Sequence, residues 1–162
     1  MNISMEVVGV RVEMPSNQPI ILLKEVDGSR FLPIWVGASE ATAIAFVQQG
    51  VKAQRPMTHD LMADVIEGLD AVLTNVVITT IADGVFFAEL NFRTSAGVVV
   101  TVSSRPSDAI ALALRTHSNI LADSELIDEV GISIPAEAGE ENQEVERFRQ
   151  FLDEINPEDF AG

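Results

Sequence analysis

The chain has 162 residues with no cysteine, no tyrosine and a single tryptophan, Trp35. Without cysteine there is no disulfide framework, no thiolate nucleophile and no zinc–thiolate site. So few large aromatics leave little material for stacking a run of single-stranded bases. Positive charge is also scarce, with ten Lys and Arg against twenty-five Asp and Glu, a formal net charge of −15. No Lys/Arg cluster occurs anywhere, which argues against a passive grip on nucleic acid through a basic face. Transient action through bound cations is compatible with this charge, because cations screen carboxylates and bridge to phosphate. No apolar run reaches membrane-spanning length. Met1-Asn2-Ile3-Ser4-Met5-Glu6 lacks the basic start of a secretory signal. The expectation is a cytoplasmic protein with no membrane partner. GxGxxG, P-loop, HExxH and GxSxG motifs are absent, and no organic cofactor is expected.

Hydrophobic residues make up 47% of the chain, enough for one domain with a real core. The spacing predicts an α+β fold: a mainly antiparallel twisted sheet with hairpins, packed against several apolar helices, plus a C-terminal amphipathic helix. Ile3 to Met14 alternates, with a phase shift between Val7 and Val8 that implies a bulge or bend. Pro19 to Val26 and Arg30 to Val36 flank the turn Asp27-Gly28-Ser29. A helix runs from Ser39, as N-cap, to about Gln49, with Gly50 closing it. A second runs from Thr58, as N-cap, to about Leu69, with Leu61, Met62, Val65, Ile66 and Leu69 at helical spacing. Ala71 to Ala82 and Val85 to Thr94 surround Asp83-Gly84, a strong hairpin signal. Val98 to Ser104 is strand-like. A short helix, Ser124 to Val130, and a short strand, Ile132 to Ile134, close a body spanning 1–135.

The remainder differs in composition. Residues 136–162 hold nine acids against two arginines, a net of −7. Residues 136–144 read as an acidic flexible linker. Residues 145–162 read as an amphipathic helix and tail, with Val145, Phe148, Phe151, Leu152 and Ile155 on one face. A helix that short is marginal alone and should dock on its own body or on a partner subunit.

Two segments carry candidate chemistry. In Ser103-Ser104-Arg105-Pro106-Ser107-Asp108-Ala109-Ile110-Ala111-Leu112-Ala113-Leu114-Arg115, a strand turns into an almost wholly apolar helix. Pro106 suits a helix start, Ser107 is the expected N-cap, and Asp108 falls in the first turn, where the dipole favours negative charge. A helix without a polar stripe is buried on most sides. Its N-terminus is therefore rigid, and Arg105, Ser107 and Asp108 stand beside free backbone N–H groups that can hold an anion. Arg55-Pro56-Met57-Thr58-His59-Asp60-Leu61 repeats the design. If the two starts face one another, Asp60 and Asp108 can share a divalent cation while Arg55 and Arg105 take phosphate oxygens. His59 can then move a proton, since imidazole titrates near neutrality. The competing view is of two ordinary capped helices and one surface histidine. Asp60 and Asp64, one turn apart, fit a solvated acidic face better than a metal pair. His117 near a helix C-terminus reads as structural.

Three segments together resemble the bifunctional nuclease domain family of small bacterial and plant proteins. They are Leu32-Pro33-Ile34-Trp35-Val36-Gly37 with Glu40-Ala41 and Ala43-Ile44; Arg55 to Leu61; and Ser104 to Ala113. In order and spacing they cover roughly 1–135, and the Val145 to Phe160 tail looks like the C-terminal extension of actinobacterial members. The resemblance implies an α+β fold, self-association as a homodimer or higher homo-oligomer, and nuclease activity on DNA and RNA as transient substrates. It brings no established catalytic set. The candidate residues are thus those that match the family segments and have suitable chemistry: His59, Asp60, Arg105 and Asp108 as catalytic; Arg55, Ser104 and Ser107 as substrate-binding; Asp60 and Asp108 as ligands of magnesium or manganese. The alternative is a non-enzymatic regulatory or protein-interaction module that binds a partner or a small anionic ligand.

Overall fold

The computed structural model describes residues 1–13 and 15–133. β1 (Asn2–Glu13), β2 (Gln18–Glu25) and β3 (Arg30–Trp35) form an antiparallel meander. The pairing of β1 with β2 slips between Val7 and Gly9, so the bulge lies where the apolar phase of the sequence shifts. α1 (Ala38–Gln48) and α2 (Thr58–Gly68) follow. β4 (Val72–Ala82) and β5 (Val85–Arg93) are joined by Asp83 and Gly84, at φ 53° and 76°. Positive φ at both central residues gives a two-residue turn of the hand that matches strand twist, and Asp-Gly is suited to it. β6 (Val99–Ser104), α3 (Pro106–Thr116), β7 (Asn119–Asp123), α4 (Ser124–Val130) and β8 (Ile132–Ser133) complete the described chain.

All eight strands belong to one sheet, in the order β6-β5-β4-β7-β1-β2-β3-β8. Every pairing is antiparallel except β4 with β7, which is parallel. The fold is α+β, as the hydrophobic periods imply. β7 is the element that sequence reading missed. Its five residues, Asn-Ile-Leu-Ala-Asp, are too short to show a period, yet they fill the middle of the sheet between β4 and β1. Ile134, the 136–144 linker and the 145–162 helix and tail lie outside the described residues.

The core is organised around α3. Its residues Ala109, Ile110, Ala111, Leu112 and Ala113 are all 0% exposed. Five consecutive buried residues require neighbours on every side of a helix. α1 and α2 supply two sides, and β4, β5 and β7 another. The sheet itself supplies the rest by curling. The end of β3 and the start of β5 line one cavity beside Arg105, Pro106 and Ser107, although four strands separate them in the sheet. α4 likewise packs against β3, β4 and β7 together. The alanines at 109, 111 and 113 permit this close wrapping, since each removes several side-chain atoms from the axis of the core.

Two apolar surfaces stay open. β6 pairs only with β5, and Val99, Val100 and Val102 are 63%, 40% and 45% exposed. On α2, Met62 and Ile66 pack on the core while Leu61, Val65 and Leu69 face solvent. The apolar stripe of α2 is thus wider than the groove that α3 offers it.

The enclosure of α3 leaves no room for added volume. Ala111→Leu is expected to lower the unfolding free energy by about 1–3 kcal/mol, the usual cost of overpacking. Urea denaturation followed by circular dichroism measures it, and a variant as stable as the parent would show that α3 has space around it.

Candidate active site at three helix starts

α1, α2 and α3 begin alike. Their N-caps are Gly37 (φ −73°, ψ 159°), Met57 (φ −82°, ψ 179°) and Arg105 (φ −72°, ψ 145°), none with a side-chain capping bond. The expected caps Ser39, Thr58 and Ser107 are therefore corrected: each sits inside its helix, in the first or second position. At α3 the cause is Pro106, whose ring fixes a helical φ and pushes the preceding residue into extended backbone. The boundary accordingly falls before Pro106, not after it. Instead of a hydroxyl cap, each helix carries an acid at its third position: Glu40, Asp60 and Asp108. There the helix dipole favours negative charge.

These three acids meet two arginines and a histidine. His59 Nε2 lies 2.9 Å from Asp108 Oδ1, so the two Arg-Pro helix starts do face one another. Arg105 Nε donates to Asp108 Oδ2 at 2.9 Å, and its Nη2 lies 2.8 Å from the same oxygen as an ion pair. Its Nη2 also donates to Glu40 Oε1 at 3.0 Å, tying α1 into the group. A Cβ at Gly37 would collide with the Glu40 carboxylate, so the glycine gives that carboxylate the space in which it meets Arg105. Asp60 turns elsewhere. Its Oδ1 accepts from Arg115 Nε at 2.6 Å and its Oδ2 from the Met57 N–H at 3.0 Å. Arg115 further donates to the carbonyls of Ala111 and Ala43 at 2.9 and 3.0 Å. Asp108 and Arg115 are two turns apart, about 10 Å along α3. Neighbouring residues of α2 thus grip α3 at two levels.

Exposure divides the roles. His59 is buried and the Arg115 side chain is largely covered, whereas the Arg105 side chain is 60% exposed. Asp108, and secondarily Glu40, hold the Arg105 guanidinium protonated beyond its ordinary range. The Arg115 guanidinium, helped by the Met57 N–H, holds Asp60 below the ordinary aspartate value. Ser107 is buried in the wall of the cavity between β3 and β5. Ser104 Oγ donates to the Arg105 carbonyl at 2.9 Å. Arg55 is exposed and makes no ion pair among the described residues.

The structure therefore brings together His59, Arg105 and Asp108, with Ser107 beside them, and sends Asp60 to a separate pair. The two carboxylates named for a shared cation are each held by an arginine, and Asp108 by His59 as well. Among the described residues no three His, Cys, Asp or Glu are grouped to hold a metal ion. The residues as they stand do not fit a bridging magnesium or manganese ion, and no chemical step is routed through one below. Sequence reasoning missed Glu40 and Arg115. Arg115 left a signal, because a lone charge ending a helix of buried residues needs a partner. Glu40 left only its place in the first family segment, since an acid in a first turn is otherwise ordinary.

The bifunctional nuclease domain model matches residues 21–135. That span includes both helix starts and every residue of the network. Two curated relatives, described as uncharacterized proteins MT1877 and Rv1829 of Mycobacterium tuberculosis (strains CDC 1551 / Oshkosh and ATCC 25618 / H37Rv), are each 46% identical over 160 residues. Each match covers 95% of this chain and 95% of the relative.

The Asp60–Arg115 pair has a pH signature. The folded-state value of Asp60 lies below its ordinary 3.8, so its contribution is complete above that value and is lost as pH falls through the folded one. Asp60→Asn is expected to lower stability at neutral pH by about 1–3 kcal/mol, by weakening the bond to a buried guanidinium. It should also flatten the acid limb of a plot of Tm against pH below about 4. An unchanged acid limb in the variant would mean that the pair does not contribute.

Proposed function

This chain belongs to the bifunctional nuclease domain family, and on that premise we propose that it hydrolyses phosphodiester bonds of DNA and RNA. The observation that carries the reading is the 2.9 Å bond between His59 and Asp108 beside the exposed Arg105. It joins the two Arg-Pro segments into one chemical unit. Asp108 accepts from Nε2 and so fixes the ring, which leaves Nδ1 as the basic nitrogen for proton transfer with water or the leaving oxygen. Arg105 commits Nε and Nη2 to carboxylates, while Nη1 has no partner among the described residues. Its two N–H groups can bind a phosphate oxygen and stabilise charge as it develops. Ser104 and Arg55 contact flanking parts of the strand, and Ser107 contacts substrate from the cavity wall. The protein acts in the cytoplasm.

The same premise includes self-association. β6 supports it, being an uncharged edge strand that carries none of the charges, prolines or bulges that usually protect an edge. Antiparallel pairing of two copies centred on Thr101 places Val100 against Val102 of the second copy and Thr101 against itself. Such β-branched pairs are favourable, and no like charges meet.

A second reading, a non-enzymatic regulatory or interaction module, is favoured by one observation. Glu40, Asp60, Asp108, Arg105, Arg115 and His59 all have partners within the network, as a purely structural cluster would.

The deciding experiment is cleavage of labelled single-stranded RNA and DNA by purified protein, with magnesium, manganese or EDTA. His59→Gln is expected to lower kcat about a hundredfold or more, the usual contribution of a positioned acid or base, and Asp108→Asn to do nearly as much. Equal cleavage by parent and variants would place the activity elsewhere, and none by any of them would favour the module. EDTA-sensitive cleavage would mean that a cation rearranges the arginine-held carboxylates. Self-association is tested by light scattering, in which Thr101→Lys is expected to halve the parent mass; a monomeric parent would remove β6 as an interface.

A further inference from the structure

The cavity at the start of α3 has a composition that the hydrolytic reading does not use. Its volume is about 130 Å³, and its wall is Ile34, Trp35, Val36, Val85, Phe86 and Pro106, with Arg105 and Ser107 as the polar residues. Ser107 is only 6% exposed, and its hydroxyl makes no hydrogen bond among the described residues. Its Oγ keeps contact with solvent rather than being sealed in, so the hydroxyl is available to a group that enters the cavity. At the rim, Arg105 is already paired with Asp108 and Glu40. The polar end of the cavity therefore carries no surplus positive charge.

These features choose between the parts of a nucleotide. A phosphate inside the cavity would be surrounded by an apolar wall with Ser107 as its nearest donor, so its place is at the rim, where Nη1 of Arg105 has no partner among the described residues. A nucleobase has apolar faces, a polar edge, no charge and a volume that a cavity of this size admits. We propose that this cavity is a nucleobase subsite. One unpaired base enters between the ends of β3 and β5, and Ser107 bonds its polar edge. The assignment rests on the nuclease reading and deepens it, because the phosphate flanking that base then lies beside the free Nη1 of Arg105. A base in a duplex cannot enter such a pocket without being flipped out. The enzyme therefore selects single-stranded substrates, reading one base rather than stacking a run of them.

Trp35 makes the test direct. It lines the cavity, and the chain has no second tryptophan and no tyrosine. Its emission, excited at the red edge of the indole band where nucleosides do not absorb, therefore reports occupancy. Cytidine, uridine, adenosine and guanosine are titrated beside ribose 5-phosphate and inorganic phosphate. The expected result is a saturable change with at least one nucleoside and none with the two sugar or phosphate controls. Ser107→Ala should weaken that nucleoside about fivefold, as loss of one neutral hydrogen bond does. Val85→Phe, a change at the partly exposed rim, should abolish the response by filling the space. No saturable response to any nucleoside, an equal response to phosphate, or full affinity in Val85→Phe would each overturn the proposal. The assay uses no cleavage, so the two readings fail separately. A protein that cuts RNA without binding a nucleoside loses the subsite and stays a nuclease. One that binds a nucleoside and cuts nothing keeps the subsite and loses the hydrolysis.

Discussion

Arg105 has to satisfy Asp108 on its own helix and Glu40 on another, and it can do so only if α3 does not move. An exposed guanidinium–carboxylate pair on a mobile surface contributes little, because side-chain entropy and screening cancel most of the attraction. Here the entropy is removed beforehand. Pro106 fixes the backbone at the N-cap, and five residues with no exposure lock the helix behind it. Arg105 then bonds carboxylates already in place, one on its own helix and one on α1. The enclosure of α3 is the physical condition from which the ordering of the site follows. It also explains the alanines, since larger side chains would push the curled sheet away and release the helix start.

α2 makes the same point from outside. One of its faces packs on the core, and the other shows Leu61, Val65 and Leu69 to water. Its position is set as much by two polar bonds as by apolar packing. His59 reaches Asp108, and Asp60 reaches Arg115, at two levels of α3. A helix held at two points cannot slide along its neighbour. The bonds that place His59 for the proposed chemistry are thus the bonds that hold the helix, and structural and chemical readings of these residues are not exclusive.

Much of this was legible in the sequence. Alternation in Phe86, Ala88, Leu90 and Phe92, the Asp83-Gly84 turn and the phase shift in β1 are local signals, each settled within a few residues. The apolar run after Pro106 announced a buried helix, and the repeated Arg-Pro design pointed to two related helix starts. What escaped depends on partners distant in sequence. β7 is defined by β1 and β4 on either side, not by a period of its own. Glu40 matters because Arg105, sixty-five residues on, lies against it. The α3 cap was misplaced because serine preferences are averages, whereas proline acts on the residue before it by direct steric exclusion. The pairing of Asp60 with Arg115 rather than with Asp108 turns on which carboxylate faces which helix level, and spacing alone does not encode it.

The charge balance bears on how such a site can meet a polyanion. With a net charge of −15, long-range steering opposes approach, unlike proteins that gather nucleic acid by a basic face. At physiological ionic strength, however, charges beyond about 8 Å are largely screened, so the local balance matters more than the total. Within the site, three carboxylates face two guanidiniums and one imidazole. The sum is close to neutral and becomes so when His59 is protonated. A phosphate approaching Arg105 Nη1 therefore meets neither strong attraction nor strong repulsion. Affinity must then come from uncharged contacts, and the apolar cavity beside Arg105 is where such contacts are available. On the proposed reading, an acidic nuclease of this design gives up fast, indiscriminate capture and gains selection by shape, because a strand that offers no base to the proposed subsite has little else to hold it.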